Sequence, residues 1–407
     1  MSRNTIILTI LGILFIGGAV WFFFFKPVPE TVEVVNTPLG STQNTTNTTV
    51  EPTTTNTPTE TTTPVQFSTQ KVFKISDGPI SGATFFETKN PTTTLARYTL
   101  ANNGHILDLA IDVPGAVAKS ASNTTVPGVV RTLWGPQGKV VIMQYLENAT
   151  LKTVSLTFST TGSTTTAPVK LQFFPEGIAD IALSPDGTQA AYLLRTQNGV
   201  DGYISQSNGS SSEKKFSIPF TQVLLSWPSP QLLLAQTKSA YSAPGIAFSV
   251  DATSGNVVSL LHASGLVAFA NPTFSHVVYQ STNSDLRSHT SYVHSMQNGG
   301  EAGLSYNPLV EKCVWSNTTV TMLYCARPLQ AVPATYIDSW RMGTASMADV
   351  IFSYDVARNS SSILATPGGN QGGVGSDITT LGVSPNGRYL LFITKGDRSL
   401  WGVRLGN

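Results

Sequence analysis

Histidine and carboxylate side chains are the first candidates for catalysis or metal binding in this chain. The histidines are His105, His262, His276, His289 and His294. Only His289 and His294 are close in sequence, and five positions apart on a strand they would face opposite sides. A metal site would need ligands from distant segments, so the simpler interpretation is surface or structural histidines. The carboxylates are equally scattered, so no pair predicts an acid–base couple.

The two cysteines suggest structure rather than chemistry. Cys313 and Cys325 fall on the two strands of one hairpin-like stretch, CVWSNTTVTMLYCA. In an oxidising compartment such a pair is expected to form a disulfide, and two buried free thiols are the alternative. The chain has no Cys-x-x-Cys motif, so thiol exchange is not predicted. We expect neither a metal nor a cofactor.

A recurring hairpin pattern organises these residues. The stretch ALSPDGTQAAYLLRT places Ser184-Pro185-Asp186-Gly187, residue types that favour a tight turn, between two apolar runs. The same order of strand, turn and strand recurs at 132–145, 225–237, 269–281, 313–326 and 381–394. Most of these turns are spaced about 43 to 49 residues apart, a period typical of β-propellers built from four-stranded blades.

Chain length and the terminal strands predict how many blades there are. Second hairpins at 245–262 and 349–366 would supply outer strands. The stretch SLWGVRLGN supplies one strand with no successor, so a strand near the start of the domain is expected to complete that blade. The sequence therefore predicts an all-β, single-propeller domain. Seven blades of about 48 residues fit the usual blade length, and six of about 56 are the alternative.

The turns also indicate a family resemblance. The SPDG and SPNG hairpins at 184–187 and 384–387 resemble the repeats of TolB-type propellers, which are relatives of the WD-repeat architecture. The resemblance covers about residues 95–407, but no blade ends in Trp-Asp and none opens with Gly-His. TolB-type propellers bind peptides and proteins more often than they catalyse reactions. The resemblance therefore implies a binding function, although a fold alone does not determine one.

The motifs of propeller enzymes are incomplete here. A sialidase-type Asp box, Ser-x-Asp-x-Gly-x-Thr-Trp, is not matched at 184–187, because Gly187 directly follows Asp186 and the Trp is missing. The chain also has no Gly-x-Ser-x-Gly elbow. We expect a non-enzymatic binding or scaffold module for a protein, peptide or glycan partner. The alternative is a propeller lyase or glycosidase whose carboxylates converge from separate blades.

The N-terminal segment predicts a membrane anchor. Residues 5–25, TIILTILGILFIGGAVWFFFF, form an uncharged apolar run of 21 residues, which is about the length that crosses a bilayer core. The bulky aromatic end of this run favours an uncleaved anchor over a cleaved signal peptide. Arg3 precedes the run, and Lys26 is the only basic residue between it and Lys71. The N-terminus is therefore expected in the cytoplasm and the remainder outside.

The next segment predicts a stalk. Residues 27–70 are rich in Thr and Pro, so they are expected to be disordered and to hold the propeller away from the membrane. The expected domains are an anchor (1–26), a linker (27–70) and a propeller (71–407). The net charge of +1 gives no argument for nucleic-acid binding. We expect a single-pass membrane protein whose propeller lies at the cell surface or in the periplasm.

Propeller geometry predicts where a partner would bind. The first strand of each blade lines the central channel, and its start shares a face with the loop after the second strand. At the aligned position four residues before the turn, four of the six strands carry a polar side chain, namely Arg131, Asp180, Lys312 and Thr380, and the other two carry Val223 and Val267. We predict that this channel mouth binds a partner. Pairing of Arg131 with Asp180 between neighbouring blades is the structural alternative.

A long insertion should project on the same face. Residues 327–349 interrupt the regular repeat, and long loops in compact domains are often functional. This insertion contains Tyr336, Trp340 and Met342, residue types that often anchor partners. We therefore include these three residues in the predicted binding face. The alternative is that Trp340 plugs the channel or packs on a blade.

Overall fold

Seven antiparallel sheets of four strands form the domain. The computed structural model of the protein describes residues 70–89, 92–158, 169–368 and 375–406. The predicted anchor at 5–25 and nearly all of the predicted linker at 27–70 lie outside these residues. Within the described part of the chain, no helix is long and apolar enough to span a membrane.

The first three blades follow each other along the chain. Blade 1 contains β2 (Ile80–Glu87), β3 (Thr94–Leu100), β4 (Ile106–Ala110) and β5 (Lys119–Ser122); β1 (Val72–Ser76) precedes it and belongs to blade 7. Blade 2 contains β6 (Val129–Trp134), β7 (Val140–Glu147), β8 (Thr150–Phe158) and β9 (Val169–Phe173). Blade 3 contains β10 (Ile178–Leu183), β11 (Gln189–Arg195), β12 (Val200–Gln206) and β13 (Glu213–Ile218). A short 3-10 helix, Pro136–Gly138, forms the turn between β6 and β7.

Blades 4 to 6 repeat this order. Blade 4 contains β14 (Val223–Ser226), β15 (Leu232–Thr237), β16 (Pro244–Asp251) and β17 (Val257–Ser264). Blade 5 contains β18 (Val267–Ala270), β19 (His276–Thr282), β20 (His289–Ser295) and β21 (Glu301–Gly303). Blade 6 contains β22 (Cys313–Trp315), β23 (Met322–Pro328), β24 (Asp349–Asp355) and β25 (Ser360–Ala365). A 3-10 helix, Val310–Lys312, precedes β22, and the helix α1 (Ala334–Arg341) lies between β23 and β24.

Blade 7 is completed by a strand from the start of the domain. It contains β26 (Ile378–Val383), β27 (Tyr389–Thr394) and β28 (Leu400–Arg404), and β1 pairs antiparallel with β28 as its outermost strand. This arrangement removes the free edge that β28 would otherwise expose. The all-β propeller prediction is confirmed, with seven blades rather than six.

The recurrent turn that marks the blades is a structural device. The hydroxyl of Ser184 donates to Asp186 Oδ1 at 2.6 Å and accepts from the Gln189 backbone N–H at 2.9 Å. The Ser184 hydroxyl and the Thr188 N–H hold the pKa of Asp186 below its usual range. Gly187 has φ +73°, and a Cβ there would meet Pro136 of the blade 2 turn at 2.8 Å. Successive turns therefore pack against each other, and the motif needs its glycine.

Apolar side chains between neighbouring blades form the core. Ala191 and Leu193 of β11 are buried in one cluster with Trp227 and Leu233 of blade 4. The second strand of a blade lies between its sheet neighbours and the faces of adjacent blades, so all six residues of β27 are buried. The burial of such a strand on both faces explains the unbroken apolar sequence YLLFIT.

Cys313 and Cys325 form a disulfide within blade 6. They lie directly opposite each other on β22 and β23, with their Cα atoms 4.0 Å apart. The predicted disulfide is therefore present, and it joins the inner strand of blade 6 to the strand that leads into α1.

The inner strands fall into two groups. Those of blades 7, 1, 2 and 3 each contain a register shift near their start, whereas β14, β18 and β22 pair with their neighbours without one. β-Bulges of this kind redirect side chains and often occur beside functional sites. In blade 2 the shift lies between Val129 and Arg131, at the channel mouth.

Candidate functional site

The predicted binding residues lie on one face of the propeller. We define the helix face as the face that carries α1, the starts of the inner strands and the loops that join second to third strands. The insertion does not extend away from this face, because α1 bridges to other blades. The Ala334 N–H donates to the Arg287 carbonyl at 2.9 Å, and Arg341 Nη1 donates to the Ser239 carbonyl at 2.9 Å. The helix thus contacts the second-to-third-strand loops of blades 5 and 4.

Further polar contacts hold the C-terminal half of α1. Arg341 Nε lies 3.2 Å from both carboxylate oxygens of Glu311. Asp338 Oδ2 accepts from the Tyr241 N–H at 3.2 Å, while its other oxygen accepts from Arg341 at 3.2 Å. These contacts hold α1 over the channel mouth on the side of blades 4 to 7, which we call the capped side.

A buried ion cluster lies beneath α1, and we define it as Lys312, Asp349, Asp377 and Trp340. Lys312 Nζ donates to Asp349 Oδ2 at 2.7 Å and to Asp377 Oδ1 at 2.9 Å. The side chains of Lys312 and Asp349 are 0% exposed. Trp340 Nε1 donates to Asp377 Oδ1 at 2.8 Å, and Lys312 Nζ lies 4.4 Å from the centre of the Trp340 ring. The cluster therefore joins the insertion to the inner ends of blades 6 and 7.

Further polar groups of the insertion bind charged atoms at this cluster. Asp377 Oδ2 accepts from the Ser346 hydroxyl at 3.0 Å and from the Met347 N–H at 3.1 Å. Lys395 Nζ donates to the Trp340 and Ala345 carbonyls and lies 4.6 Å from the centre of the Trp340 ring. Burial lowers the pKa of the Lys395 ammonium. The Trp340 ring is thus contacted by two ammonium groups.

The two aspartates of the cluster are not arranged as an acid–base couple for a substrate. Burial raises the pKa of Asp349, although Lys312 opposes that change. Asp349 Oδ1 is buried without a hydrogen-bond partner among the described residues, which agrees with the direction of the shift. Lys312 binds both carboxylates, Trp340 binds Asp377, and solvent does not reach the Lys312–Asp349 pair. The arrangement is suited to holding the insertion in place.

Arg131 and Asp180 pair between blades 2 and 3. Arg131 Nη1 donates to Asp180 Oδ1 at 2.5 Å, and Asp180 Oδ2 accepts from the Leu225 N–H of blade 4 at 2.7 Å. The Asp180 side chain is buried, whereas that of Arg131 is 42% exposed. This pair thus links three consecutive inner strands and leaves part of the guanidinium accessible. Thr380 is exposed on β26, and no contact brings it to this pair.

Other side chains link the remaining blades, and sequence reasoning missed them. Gln236 exchanges two hydrogen bonds with the Ala268 backbone, at 2.8 and 2.9 Å, and Gln280 Oε1 accepts from the Val310 N–H at 3.0 Å. Gln144 is buried at the same position of β7, but its amide bonds to Thr153 within blade 2. A glutamine at the same position of three second strands is the sequence signal that could have predicted these contacts. Polar residues at the channel mouth are therefore largely ties between blades.

The three aromatic and methionine candidates in the insertion have different environments. Trp340 is buried in the ion cluster. The Tyr336 hydroxyl donates to the Ser346 carbonyl at 2.8 Å within the insertion itself. Met342, just beyond α1, is 72% exposed. The structure thus brings Trp340 together with Lys312. Tyr336, Met342 and Thr380 belong neither to the ion cluster nor to the Arg131–Asp180 pair.

The largest concentration of exposed apolar side chains on the helix face lies at blade 2. Val130, Leu146, Leu151 and Phe173 are all exposed, and Phe173 is the most accessible at 64%. Beside Phe173 is a groove with a volume of about 160 Å³, lined by Lys152, Thr153, Phe173, Phe174, Pro175 and Glu176. Lys152 and Glu176 form an ion pair at this groove. We call the side of the helix face formed by blades 1 to 3 the open side, because the hydrogen bonds that α1 makes to described residues of other blades go to blades 4 to 7.

Comparison with known proteins supports the fold. The chain is similar to an oligogalacturonate lyase in complex with manganese, with 11% identity over 85% of this chain and 96% of that chain and a TM-score of 0.55. It is also similar to the WD40 domain of Pan2 from Neurospora crassa, with 11% identity over 84% and 98% of the two chains and a TM-score of 0.52. The likeness is one of fold. At such identities it does not transfer a ligand or an activity.

The other comparisons add less. TolB from Acinetobacter baumannii matches with 11% identity over 79% of this chain and 63% of that chain, with a TM-score of 0.42. No protein-family model and no curated protein matches the chain. Among the described residues, no group of three or more His, Cys, Asp or Glu side chains is placed to hold a metal ion. The predicted likeness to WD-repeat propellers is thus confirmed for architecture, by the match to the Pan2 domain and by the seven four-stranded sheets.

Proposed function

We propose that this protein is a membrane-tethered binding module whose propeller engages a protein, peptide or glycan partner through the helix face. The observation that carries this proposal is the set of large apolar side chains that stay exposed near this face. They are Val130, Leu146, Leu151, Phe173, Phe220, Leu224, Leu286, Tyr306, Leu329 and Met342. Val130, Leu146, Leu151 and Phe173 lie together at the end of blade 2, and a group of this kind favours an interaction surface, whereas isolated apolar residues would not.

The buried ion cluster favours binding over catalysis. An enzyme of the lyase or glycosidase type would need carboxylates that converge where a substrate can reach them. Asp349 and Asp377 do converge, but both are buried and both bind Lys312. We therefore do not propose an enzymatic function.

The proposed location rests on the sequence and the disulfide. The apolar run at 5–25 would span the membrane, with Arg3 on the cytoplasmic side and the propeller outside. A disulfide between Cys313 and Cys325 suits an oxidising compartment. Protease treatment of cells from which any outer membrane has been removed tests this location. Digestion of the propeller while the cytoplasmic membrane is intact is expected, and protection until that membrane is broken would contradict it.

Capture from source-cell membranes tests the binding function. The full chain is compared with a Met342→Glu, Phe173→Glu variant, which places charge at two exposed positions of the helix face. A Val258→Glu variant is the matched control, because Val258 is exposed at the start of β17, toward the opposite face. We expect a partner that binds the wild type and the control but not the double variant. Equal capture by all three, or by none, would contradict the proposal.

A further inference from the structure

The helix-face end of blade 2 combines apolar and cationic groups in one strip. Its strands lie side by side in the order β6, β7, β8 and β9. Val129 pairs with Tyr145, Leu146 pairs with Leu151, and Val154 pairs with Phe173. The exposed residues Val130, Leu146, Leu151 and Phe173 therefore follow the end of one sheet from the channel mouth to the outer rim.

Arg131 lies at the channel end of this strip. One edge of its guanidinium is held by Asp180, and Asp180 is itself held by the Leu225 N–H. The remaining guanidinium hydrogens have no partner among the residues that the structure describes, and the side chain is 42% exposed. A guanidinium whose orientation is already fixed loses little entropy when it binds a second carboxylate. Arg131 is thus prepared to receive a carboxylate from outside.

The outer end of the strip offers a different chemistry. The groove of about 160 Å³ is walled by Phe173, Phe174 and Pro175, and Lys152 and Glu176 lie at it as an ion pair. Such a groove suits an apolar side chain, because the aromatic walls supply contact area while the ion pair borders the opening. The exposed Leu146 and Leu151 extend apolar contact from this groove toward Arg131.

The spacing between the two ends sets the length of a ligand. Neighbouring strands are about 4.8 Å apart, so three steps from β6 to β9 span about 14 Å, while an extended peptide advances about 3.3 Å per residue. We propose that the end of blade 2 binds an extended segment of a partner protein. That segment presents a carboxylate to Arg131 and, about four residues away, an apolar side chain to the groove beside Phe173.

A peptide suits this strip better than an acidic glycan. Val130, Leu146 and Leu151 are exposed between and beside the two ends, and apolar peptide side chains would bury them. A chain of uronic acids would bring hydroxyl groups against these residues and leave the hydroxyls without partners. This inference rests on the proposed function, since it specifies which kind of partner binds the helix face.

Labelled peptides test the proposal directly. The probe is a fluorescein-labelled peptide, Gly-Asp-Ser-Gly-Ser-Leu-Gly, titrated against the full chain in mild detergent and followed by fluorescence polarisation. Matched probes replace the aspartate by asparagine, replace the leucine by serine, or place the two residues next to each other. We expect each change to weaken binding by about tenfold, since a charge-assisted hydrogen bond or a buried side chain contributes roughly that much. Equal binding of all four probes, or no binding of any, would overturn the proposal.

Variants assign the two ends of the probe. Arg131→Lys keeps a positive charge beside Asp180 but loses the forked guanidinium, so it should weaken the aspartate probe and leave the asparagine probe unchanged. Phe173→Ser should remove the preference for leucine. Ile363→Ser is the matched control, because Ile363 is 63% exposed on blade 6. Equal loss in the control, or no loss in Phe173→Ser, would contradict the assignment.

Two outcomes separate this inference from the function on which it rests. If an oligogalacturonate binds through Arg131 while the peptides do not, the ligand is a glycan and the peptide proposal fails. If a partner is captured through the helix face but is insensitive to Arg131→Lys and to Phe173→Ser, the binding function stands and the blade 2 site is wrong.

Discussion

The capped and open sides of the helix face use charged residues in different ways. Lys312 and Arg131 occupy equivalent positions before the turns of blades 6 and 2. Lys312 binds Asp377, which immediately precedes the inner strand of blade 7, and Arg131 binds Asp180 on the inner strand of blade 3. Lys312 is fully buried beneath α1, whereas Arg131 is 42% exposed. Whether the insertion covers the charged residue before a turn therefore decides whether that residue only stabilises the fold or also remains accessible to a ligand.

The largest expected effect is on the capped side. Lys312→Met would leave Asp349 and Asp377 without their buried counter-charge, and removal of one partner from a buried pair typically costs about 3–5 kcal/mol. Urea unfolding of the full chain measures this loss. Arg358→Met is the control, because the Arg358 side chain, which pairs with Asp355, is 81% exposed and its loss should cost less than about 1 kcal/mol. Similar costs for both variants would remove the distinction between buried and exposed pairs.

Reduction of the disulfide should have the next largest effect. Cys313 and Cys325 close a loop with a sequence separation of 12, and a bridge over such a loop contributes about 2–3 kcal/mol. Unfolding is measured with and without reductant, and the bridge is checked by mass. Binding of the aspartate peptide should not change, because the bridge lies in blade 6 and the proposed site in blade 2. An unfolding midpoint that does not change with reductant would contradict the expected stabilisation by the disulfide. Loss of peptide binding on reduction would contradict the placement of the site in blade 2.

Arg131→Gln should cost less stability than Lys312→Met. Asp180 keeps its bond to the Leu225 N–H, and water can reach the space left by a half-exposed guanidinium. We therefore expect a loss of about 1–2 kcal/mol, measured by the same urea unfolding. A cost equal to that of Lys312→Met would show that both pairs serve the fold alike.

Met342→Ser should have the smallest effect on stability. Met342 is 72% exposed, so its replacement should change the free energy of unfolding by less than about 0.5 kcal/mol. Met347→Ser is the matched comparison in the same insertion, because Met347 is buried beside Ile337 and Trp340. Its replacement should cost about 2 kcal/mol or more. Equal effects would indicate that the insertion is not packed as described.

The fold could be predicted from sequence because its signals are local. Turn residues such as Asp186 and Gly187 act within a few positions, and the repeats place them at a regular period. The completion of blade 7 followed from avoiding a free strand edge. The helix α1 was not predicted, since an eight-residue helix is marginal on its own and depends on contacts with blades 4 and 5.

The candidate site could be predicted only in part. Sequence pattern selected Arg131, Asp180 and Lys312 as polar residues in apolar strands, and all three lie at the channel mouth. The pattern did not distinguish the buried Lys312 from the accessible Arg131, because burial depends on where the insertion folds back. The exposed strip from Val130 to Phe173 was not predicted, since its residues come from four strands and meet only in the folded sheet.

Hydrogen exchange of the full chain with and without the aspartate–leucine peptide distinguishes binding at the open side from binding at the capped side. If the peptide binds blade 2, backbone amides in β6 and in residues 169–177 should exchange more slowly in the complex, with no change in residues 329–348. Slower exchange confined to 329–348 would contradict this site, because the ligand would then bind the capped side.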